Sequence, residues 1–473
     1  MLQNVPQAAI AVHAVWLAGG VLTTLNPMYR REELEHQLGD AGATIVICLE
    51  SLHGVVAEAR EATAVRHVVT VSELDFLDEL PPVLAGHERR ECPGAVPIAD
   101  LFAAHAGTRI DPPHPDPGET AMLTYTSGTT GASKGAINTH GAVVQNAATL
   151  TRWYRLGPGD VSVAMAPLFH ITGLVCHLAT ARYSLTPLLL GYRFEPGELL
   201  RLIERWRGTW VIGPLTAFIA MLEHPSLGER DLASLTKVAS GGAPVNPATV
   251  ARWEAATGAY MHNTYGLTEA TAPSHLVPFG ARAPVDPESG ALSIGVPIDG
   301  FEARILDVES GAELGPGEIG EIVLRGPAVT PGYWGRPEET AHALRDGWLH
   351  TGDVGKRDAD GWYYVVDRIK DMIVASGYKV WPRDVEDVLF RHPAVLEASV
   401  VGVPDEYRGE TVRAYVALRE GAAATEAELV AHCRAELAAF KAPREVVFVA
   451  EIPKTLSGKA LRRELRARSG PLA

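Results

Sequence analysis

Residues 124–135 (TYTSGTTGASKG) combine the groups that a phosphate needs. Hydroxyls and bare backbone N–H groups can donate hydrogen bonds, and Lys134 supplies a positive charge. Because the apolar run 121–123 comes directly before, we predict a buried strand that leads into a phosphate-binding loop, with a Ser/Gly-rich surface linker as the alternative. The loop is not a Walker A motif, since two residues separate Gly131 from Lys134.

Five further segments carry polar side chains at positions where chemistry could occur. The segment 263–269 (NTYGLTE) is expected to follow a short strand, and it offers the Tyr265 ring, the Thr268 hydroxyl and the Glu269 carboxylate. This set suits a nucleotide and its Mg²⁺, although a capped helix start would look similar. The others are 166–173 (APLFHITG), 351–353 (TGD), 367–371 (DRIKD) and 454–459 (KTLSGK). Of these, 351–353 and 367–371 are expected to end successive strands. Each of these has a structural alternative to a functional role. His170 could be a structural histidine, 351–353 and 367–371 could be plain turns, and 454–459 could be a mobile basic tail.

Composition excludes several classes of protein. The 473 residues are 47% hydrophobic and 21% charged, which is ordinary for a globular protein of two or more domains. The net charge of −15, without a long basic run, argues against a nucleic-acid partner. The four cysteines are scattered, so we expect no disulfide framework, no zinc site and a cytoplasmic location. Only eight of the 42 basic residues are lysines, so each lysine is informative.

The mostly apolar stretch 8–25 requires an interpretation of its own. A signal peptide would begin with basic residues, which 1–7 lacks, and a membrane helix usually has basic flanks. We therefore expect a buried helix at 8–18 and a strand at 21–25, with no membrane-spanning segment in the chain. A homodimer is left open.

Apolar β-type runs alternate with amphipathic helical stretches through most of the chain. This alternation predicts layered α/β structure with parallel strands. The predicted strands include 44–48, 68–71, 121–126, 161–166, 210–212 and 237–240, and the predicted helices include 196–207 and 247–257. We expect a β-rich stretch at 293–366 and a compact α+β unit after it, where Thr425 and Glu428 form a capping box at a helix start.

In this order, the motifs resemble those of the acyl-adenylate-forming superfamily, which includes acyl-CoA synthetases, adenylation domains and insect luciferases. The resemblance covers nearly the whole chain. It implies an α/β fold with a large N-terminal domain (1–369) of layered parallel α/β subdomains and a β-rich subdomain. A hinge at Lys370 would join it to a small, mobile α+β C-terminal domain (370–473). The implied cofactors and co-substrates are ATP, Mg²⁺ and coenzyme A.

The resemblance also assigns roles to single residues. Tyr265 would lie against the adenine, Thr268 would contact the α-phosphate and Glu269 would bind Mg²⁺. Asp353 and Arg368 would hold the ribose hydroxyls. The other residues implied in ATP or AMP binding are Thr126, Ser127, Gly128, Thr129, Thr130, Gly131, Lys134, Gly241, Gly242, Ala243, Pro244, Thr264 and Gly266.

Catalysis would depend on Lys459, with His170, Thr268 and Glu269. An anionic carboxylate must attack an anionic α-phosphate, so the Lys459 ammonium and Mg²⁺ on Glu269 would neutralise the approach. A thiol would then attack the acyl-adenylate after the small domain has swung about the hinge. The acyl pocket would include His170, Thr172, Gly173 and Gly242, and the coenzyme A path Ser376 and Gly377.

The pocket segments 169–173, 213–218 and 240–244 hold no carboxylate for an amino-acid ammonium and no arginine for a dicarboxylate. Val374 stands where light-producing members carry a second lysine. We therefore expect a CoA ligase for a hydrophobic acid, with medium- or long-chain fatty acids favoured over aryl acids such as cinnamate, coumarate or benzoate. Family members usually carry a further N-terminal segment, so a truncated, catalytically impaired nucleotide-binding homologue is the alternative of another class.

Overall fold

The computed structural model describes residues 1–126, 133–375, 378–405, 408–454 and 460–468. Most of the predicted phosphate loop (127–131), the two residues of the coenzyme A path (Ser376 and Gly377) and Lys459 lie outside these residues. Within them, no helix combines the length and the apolar character that crossing a membrane would require.

The strands alternate with helices in the first half of the chain and dominate after residue 260. They are β1 (Leu22–Thr23), β2 (Ile45–Leu49), β3 (His67–Val71), β4 (Val96–Pro97), β5 (Thr120–Tyr125), β6 (Gly135–Thr139), β7 (Ser162–Ala164), β8 (Leu188–Leu190), β9 (Trp210–Pro214), β10 (Lys237–Gly241), β11 (Met261–Leu267), β12 (Ala272–Leu276), β13 (Val296–Pro297), β14 (Glu302–Leu306), β15 (Gly320–Arg325), β16 (Leu344–Arg345), β17 (Trp348–Arg357), β18 (Tyr363–Arg368), β19 (Ile373–Ala375), β20 (Tyr378–Val380), β21 (Val395–Asp405), β22 (Gly409–Leu418) and β23 (Glu445–Phe448).

The α-helices are shorter than fifteen residues each. They are α1 (Pro6–Leu17), α2 (Arg31–Ala41), α3 (His53–Arg60), α4 (Ile98–Ala104), α5 (His140–Trp153), α6 (Thr180–Ser184), α7 (Pro196–Trp206), α8 (Leu215–Leu222), α9 (Pro247–Thr257), α10 (Pro337–Ala343), α11 (Pro382–Arg391), α12 (Glu426–Glu436) and α13 (Arg462–Ala467). A π-helical segment, Gly173–Ala179, leads into α6.

Helix starts follow local sequence signals. The Asn246 side chain accepts a hydrogen bond from the backbone of Ala248, and Pro247 occupies the first turn of α9, where a missing N–H costs nothing. The capping box predicted at Thr425 and Glu428 is present at the start of α12. The starts of these two helices are thus set by residues that are neighbours in the sequence.

The central sheet has the strand order β13-β12-β11-β10-β9-β7-β8. Strands β7 to β11 pair in parallel, and β12 and β13 are antiparallel additions. Register pairs Gly241 of β10 with Pro214 of β9 and with Thr264 of β11. The carboxyl ends of three strands therefore lie side by side, which is where open α/β sheets place their ligands.

Smaller sheets surround the central one. The order β1-β5-β6 carries the predicted phosphate loop, β2-β3-β4 is a parallel sheet near the N-terminus, and β14, β15, β17, β16 and β18 form the expected β-rich unit. In the C-terminal part, β20-β19-β22-β21 with β23 packs on α11 and α12 around its own apolar core. The α/β fold with a small α+β C-terminal unit is confirmed.

Three predicted placements are wrong in detail. The segment 263–269 does not follow a strand, because its first five residues lie inside β11, where antiparallel β12 supplies hydrogen-bond partners for residues 264–267. Residues 351–353 do not end a strand either. They lie inside β17, where the register against β15 shifts. The expected strand 21–25 is reduced to the two residues of β1.

Two buried histidines make stability pH-dependent. Burial lowers the pKa of His177 to about 4 and that of His275 to about 3. Below about pH 6.5 these two histidines are protonated in the unfolded chain but stay neutral in the folded chain. Acid therefore lowers the free energy of unfolding. We expect a loss of about 1.5 kcal/mol in the free energy of unfolding per histidine between about pH 6.5 and pH 5, seen as a falling melting temperature.

His275→Phe is the matched variant for this test. The His275 ring packs against Tyr363, with 4.8 Å between ring centroids, so phenylalanine keeps an aromatic contact but cannot be protonated. We expect a flatter melting profile over the same pH range. A profile as steep as that of the parent would contradict the role of His275.

Candidate active site

One cavity of about 1740 Å³ brings most of the predicted site residues together. It lies at the carboxyl ends of β9, β10 and β11 and extends to β17 and the end of β18. The predicted residues on its wall are Thr126, Lys134, His170, Thr172, Gly241, Gly242, Thr264, Gly266, Thr268, Glu269, Asp353, Arg368 and Lys370. Gly173, Ala243, Pro244 and Tyr265 are not on this wall.

Strands β5 and β6 hold the two ends of the predicted phosphate loop. They pair antiparallel with Tyr125 opposite Gly135, and the Thr126 N–H donates to the Lys134 carbonyl at 3.0 Å. The Lys134 ammonium lies 4.0 Å from a carboxylate oxygen of Glu339. The loop is therefore closed at its base, and its lysine is at the cavity wall.

Two buried asparagines fix the turn that carries Glu269. Asn138 donates to the Thr268 carbonyl at 2.9 Å, and Asn146 donates to the Thr271 carbonyl at 2.7 Å. Thr271 has a φ of 55°, a left-handed conformation that is costly for a β-branched residue. Because these hydrogen bonds pin the turn on both sides of Glu269, the carboxylate has a defined position.

Tyr333 is a site residue that the sequence did not reveal. Its hydroxyl donates to Glu269 Oε1 at 2.7 Å, and its ring centroid lies 5.6 Å from the Lys134 ammonium. Burial, followed by the Glu269 charge, raises the pKa of Tyr333, so the hydroxyl stays a donor. The residue stands in a Gly- and Pro-rich loop before α10, which carries no local signal of this contact.

Asp353 joins three elements at the predicted ribose position. Register places it opposite Arg368, whose Nε lies 3.1 Å from Asp353 Oδ1. The Tyr265 hydroxyl donates to Asp353 Oδ2 at 2.6 Å. The Asp353 charge raises the pKa of Arg368. Tyr265 thus takes part in the site through Asp353.

Lys370 follows β18 and reaches the same cavity. Burial, and next the Arg368 charge, lowers the pKa of Lys370 to about 8. Its ammonium form still predominates at neutral pH. A basic side chain therefore stands beside the predicted ribose site, at the residue where the resemblance places the hinge.

An apolar arm of the cavity lies between the segments 166–176 and 212–214. Phe169, Ile171, Cys176 and Ile212 line it, and neither segment contains Asp, Glu, Lys or Arg. His170 is exposed at the cavity, and its Nδ1 accepts from the Thr172 N–H at 3.3 Å. This arm suits an uncharged hydrophobic group.

Two glycines allow strands to approach one another at the cavity. A Cβ on Gly241 would lie 2.5 Å from the Thr264 carbonyl oxygen, and one on Gly266 would lie 2.1 Å from the Ala272 oxygen. Both neighbours are backbone atoms of adjacent strands, so a side chain at either position would force the strands apart. Glycine is therefore required at both positions by close packing.

Sequence comparisons identify the family that the chain matches. The family described as "AMP-binding enzyme" matches residues 1–334, and "AMP-binding enzyme C-terminal domain" matches residues 384–459. A long-chain-fatty-acid–CoA ligase of Bacillus subtilis (strain 168) is 37% identical over 98% of this chain and 84% of its own length. A feruloyl-CoA synthase of Amycolatopsis sp is 38% identical over 99% of this chain and 87% of its own length.

Solved structures give the same result. ATP-bound MatB from Rhodopseudomonas palustris superposes with a TM-score of 0.86 at 31% identity, over 98% of this chain and 86% of that chain. The anthranilate CoA ligase AuaEII in complex with anthranoyl-AMP superposes with a TM-score of 0.87 at 26% identity, over 99% and 86%. The chain therefore belongs to the AMP-binding enzymes of the acyl-adenylate-forming superfamily, in its acyl-CoA synthetase branch.

Proposed function

We propose that the protein is an ATP-dependent acyl-CoA synthetase that activates a hydrophobic carboxylic acid, with medium- or long-chain fatty acids favoured. The acid forms an acyl-AMP with release of pyrophosphate, and coenzyme A then displaces AMP to give the thioester. The observation that carries the proposal is a single cavity that joins Lys134, Glu269, Asp353 and Arg368 to an uncharged apolar arm. Nucleotide and acyl group can thereby meet at one place.

In the first step, charge decides which residues would bind which part of ATP. The base of the loop at Thr126 and Lys134 would hold the phosphates that leave as pyrophosphate. Asp353, held by Arg368 and Tyr265, would bind the ribose hydroxyls. Lys459 would place an ammonium at the α-phosphate, where two anions must meet. The pocket thus orients the acid carboxylate for attack while Lys134 steadies the leaving group.

The residues at Glu269 fit a magnesium ion that arrives with ATP. Glu269 Oε1 accepts from Tyr333, and Oε2 accepts no hydrogen bond from any residue that the structure describes. Within the same residues, no group of three or more His, Cys, Asp or Glu could hold a metal by itself. Magnesium typically uses one or two carboxylates plus substrate phosphates, and here it would neutralise phosphate charge.

Tyr333→Phe tests the fixed position of Glu269. The variant removes one hydrogen bond to a charged carboxylate while keeping the ring beside Lys134, so we expect adenylation to slow by about tenfold or more. ATP–pyrophosphate exchange measures it. Tyr183→Phe, at a half-exposed tyrosine of α6, is the control. An unchanged exchange rate in Tyr333→Phe would show that Glu269 does not need this hydroxyl.

The second step would require the segment after β18 to act as a hinge. We assign residues 1–369 to the large domain and 370–473 to the small one, with Lys370 between them. The separate apolar core of the C-terminal unit supports this division. The small domain would withdraw Lys459 and bring the coenzyme A path, with Ser376 and Gly377, to the acyl-AMP. The cytoplasmic location and the homodimer stay predictions.

An aryl-CoA ligase is the second candidate. The 38% identity to a feruloyl-CoA synthase favours it, and an arm lined by Phe169 and Ile171 could also accept a flat ring. The two candidates differ in what must fill the arm, namely a flexible chain or a planar ring. Only substrate measurements separate them.

Pyrophosphate release with a panel of fatty, aryl and dicarboxylic acids, with and without coenzyme A, tests the proposal. We expect release with hydrophobic acids, a thioester product only when coenzyme A is present, and no turnover of dicarboxylates. Faster turnover of cinnamates than of any fatty acid would favour the aryl ligase. ATP binding without turnover of any acid would favour a catalytically impaired homologue.

A further inference from the structure

Arg462, the first residue of α13, is surrounded by carboxylates. Its Nη1 lies 2.9 Å from Asp367 and 3.1 Å from Asp371, and its Nη2 donates to both oxygens of Glu386 at 2.9 and 2.8 Å. The Arg462 side chain is 16% exposed and that of Asp367 is 3% exposed. A bidentate, largely buried arrangement of this kind loses strength steeply when one partner is removed.

The three carboxylates come from both sides of the proposed hinge. Asp367 belongs to β18 of the large domain, Asp371 follows Lys370, and Glu386 lies on α11 of the small domain. Asp367 also accepts the Arg383 N–H at the start of α11, at 2.8 Å. One guanidinium group and one aspartate therefore hold the small domain against the last strand of the large one.

Arg462 lies close in sequence to the residues that flank the segment 455–459, which contains Lys459. The two residues that flank 455–459, Lys454 and Ala460, form a β-bridge, and the Leu461 N–H donates to the Pro453 carbonyl at 2.8 Å. Lys454 is ion-paired with Glu397 of β21. The two flanking residues are thus held together, and Arg462, two residues beyond Ala460, connects the second flank to Asp367 of β18.

Arg463, the next residue along the chain, lines the candidate active-site cavity in this arrangement. We infer that Arg462 is a positioning residue that holds the small domain in the arrangement for acyl-AMP formation, through its ion pair with Asp367 across the hinge. The inference rests on the proposed function. Formation of the thioester requires the small domain to move, so the Asp367–Arg462 contact must break between the two steps. Arg462 therefore favours the first step and contributes nothing to the second.

Arg462→Gln tests this on the two half-reactions separately. We expect ATP–pyrophosphate exchange to fall by about tenfold or more, because a buried ion pair loses its partner. Thioester formation from supplied acyl-AMP and coenzyme A should be unchanged. Arg462→Lys, which retains a charge but cannot pair bidentately, should show the same split with a smaller loss. Equal losses in both half-reactions, or no loss in either, would overturn the inference.

Two further variants separate positioning from stability. Glu386→Gln weakens an Arg462 contact within the small domain, whereas Asp367→Asn weakens the contact across the hinge. We expect the larger split between half-reactions in Asp367→Asn, and the reverse order would contradict the inference. Arg434→Gln, at an exposed arginine of α12, is the control. Melting temperatures identify any variant whose fold is lost.

A distance measurement needs no catalysis. Asp111→Cys and Glu420→Cys, at exposed positions of the two domains, allow dye labelling in a Cys92→Ser background. With Arg462 in place, we expect energy transfer between the dyes to report one dominant distance between the two domains. In Arg462→Gln we expect the distances to be distributed over more than one arrangement. An unchanged distribution of distances would overturn the inference. If the parent enzyme forms no acyl-AMP, the proposed function fails, and this measurement still decides the role of Arg462.

Discussion

Lys459→Ala is expected to abolish acyl-AMP formation and to spare thioester formation from a supplied acyl-AMP. The ammonium is needed where a carboxylate attacks an anionic phosphate, and removing one such preorganised group costs about a hundredfold to a thousandfold in rate. The second step has no corresponding meeting of two anions, and the proposed rotation removes Lys459 from the site. ATP–pyrophosphate exchange and acyl-AMP thiolysis, each with purified variant, measure the two steps.

The matched control is Arg468→Ala, which removes an exposed positive charge just after α13. It should leave both half-reactions at the parent rate. Equal loss of both half-reactions in Lys459→Ala would contradict the assignment of this lysine to the first step. Lys459→Ala and Arg462→Gln should both slow acyl-AMP formation and spare thioester formation. The loss should be larger in Lys459→Ala, since Arg462 acts only by placing the small domain.

Asp353→Ala is expected to weaken ATP binding strongly. The aspartate accepts from Tyr265 at 2.6 Å and pairs with Arg368 at 3.1 Å, and its side chain is 12% exposed. Truncating one partner of such a buried pair costs about 2–5 kcal/mol, which corresponds to a rise in KM for ATP of about 30-fold or more. KM for the carboxylic acid should change far less, because the apolar arm does not contain Asp353.

Steady-state pyrophosphate release with varied ATP and varied acid separates the two KM values. Asp111→Ala, at an exposed aspartate before β5, is the control for the loss of one negative charge. Asp353→Asn keeps a hydrogen-bond acceptor for Tyr265 but removes the charge beside Arg368. A KM for ATP near the parent value in Asp353→Ala would remove Asp353 from the nucleotide site.

Motifs with local meaning could be predicted from sequence. The superfamily could be inferred from the order of four motifs along the chain, because each motif is a short run with fixed spacing. These motifs are the phosphate loop, the segment with Glu269, the segment with Asp353, and the pair Arg368 and Lys370. The α/β fold and the small α+β unit followed from periodicity and capping residues such as Thr425. These features depend on neighbours in the chain, so the sequence alone determined them.

Only the tertiary structure decided which distant side chains meet. Tyr333 reaches Glu269 across 64 positions, and Arg462 reaches Asp367 across 95, with no local signal at either residue. The antiparallel pairing of β12 with β11 and the register shift in β17 placed two motifs inside strands, where spacing had suggested strand ends. Such contacts depend on sheet register and on packing between elements far apart in sequence, and neither periodicity nor spacing encodes these.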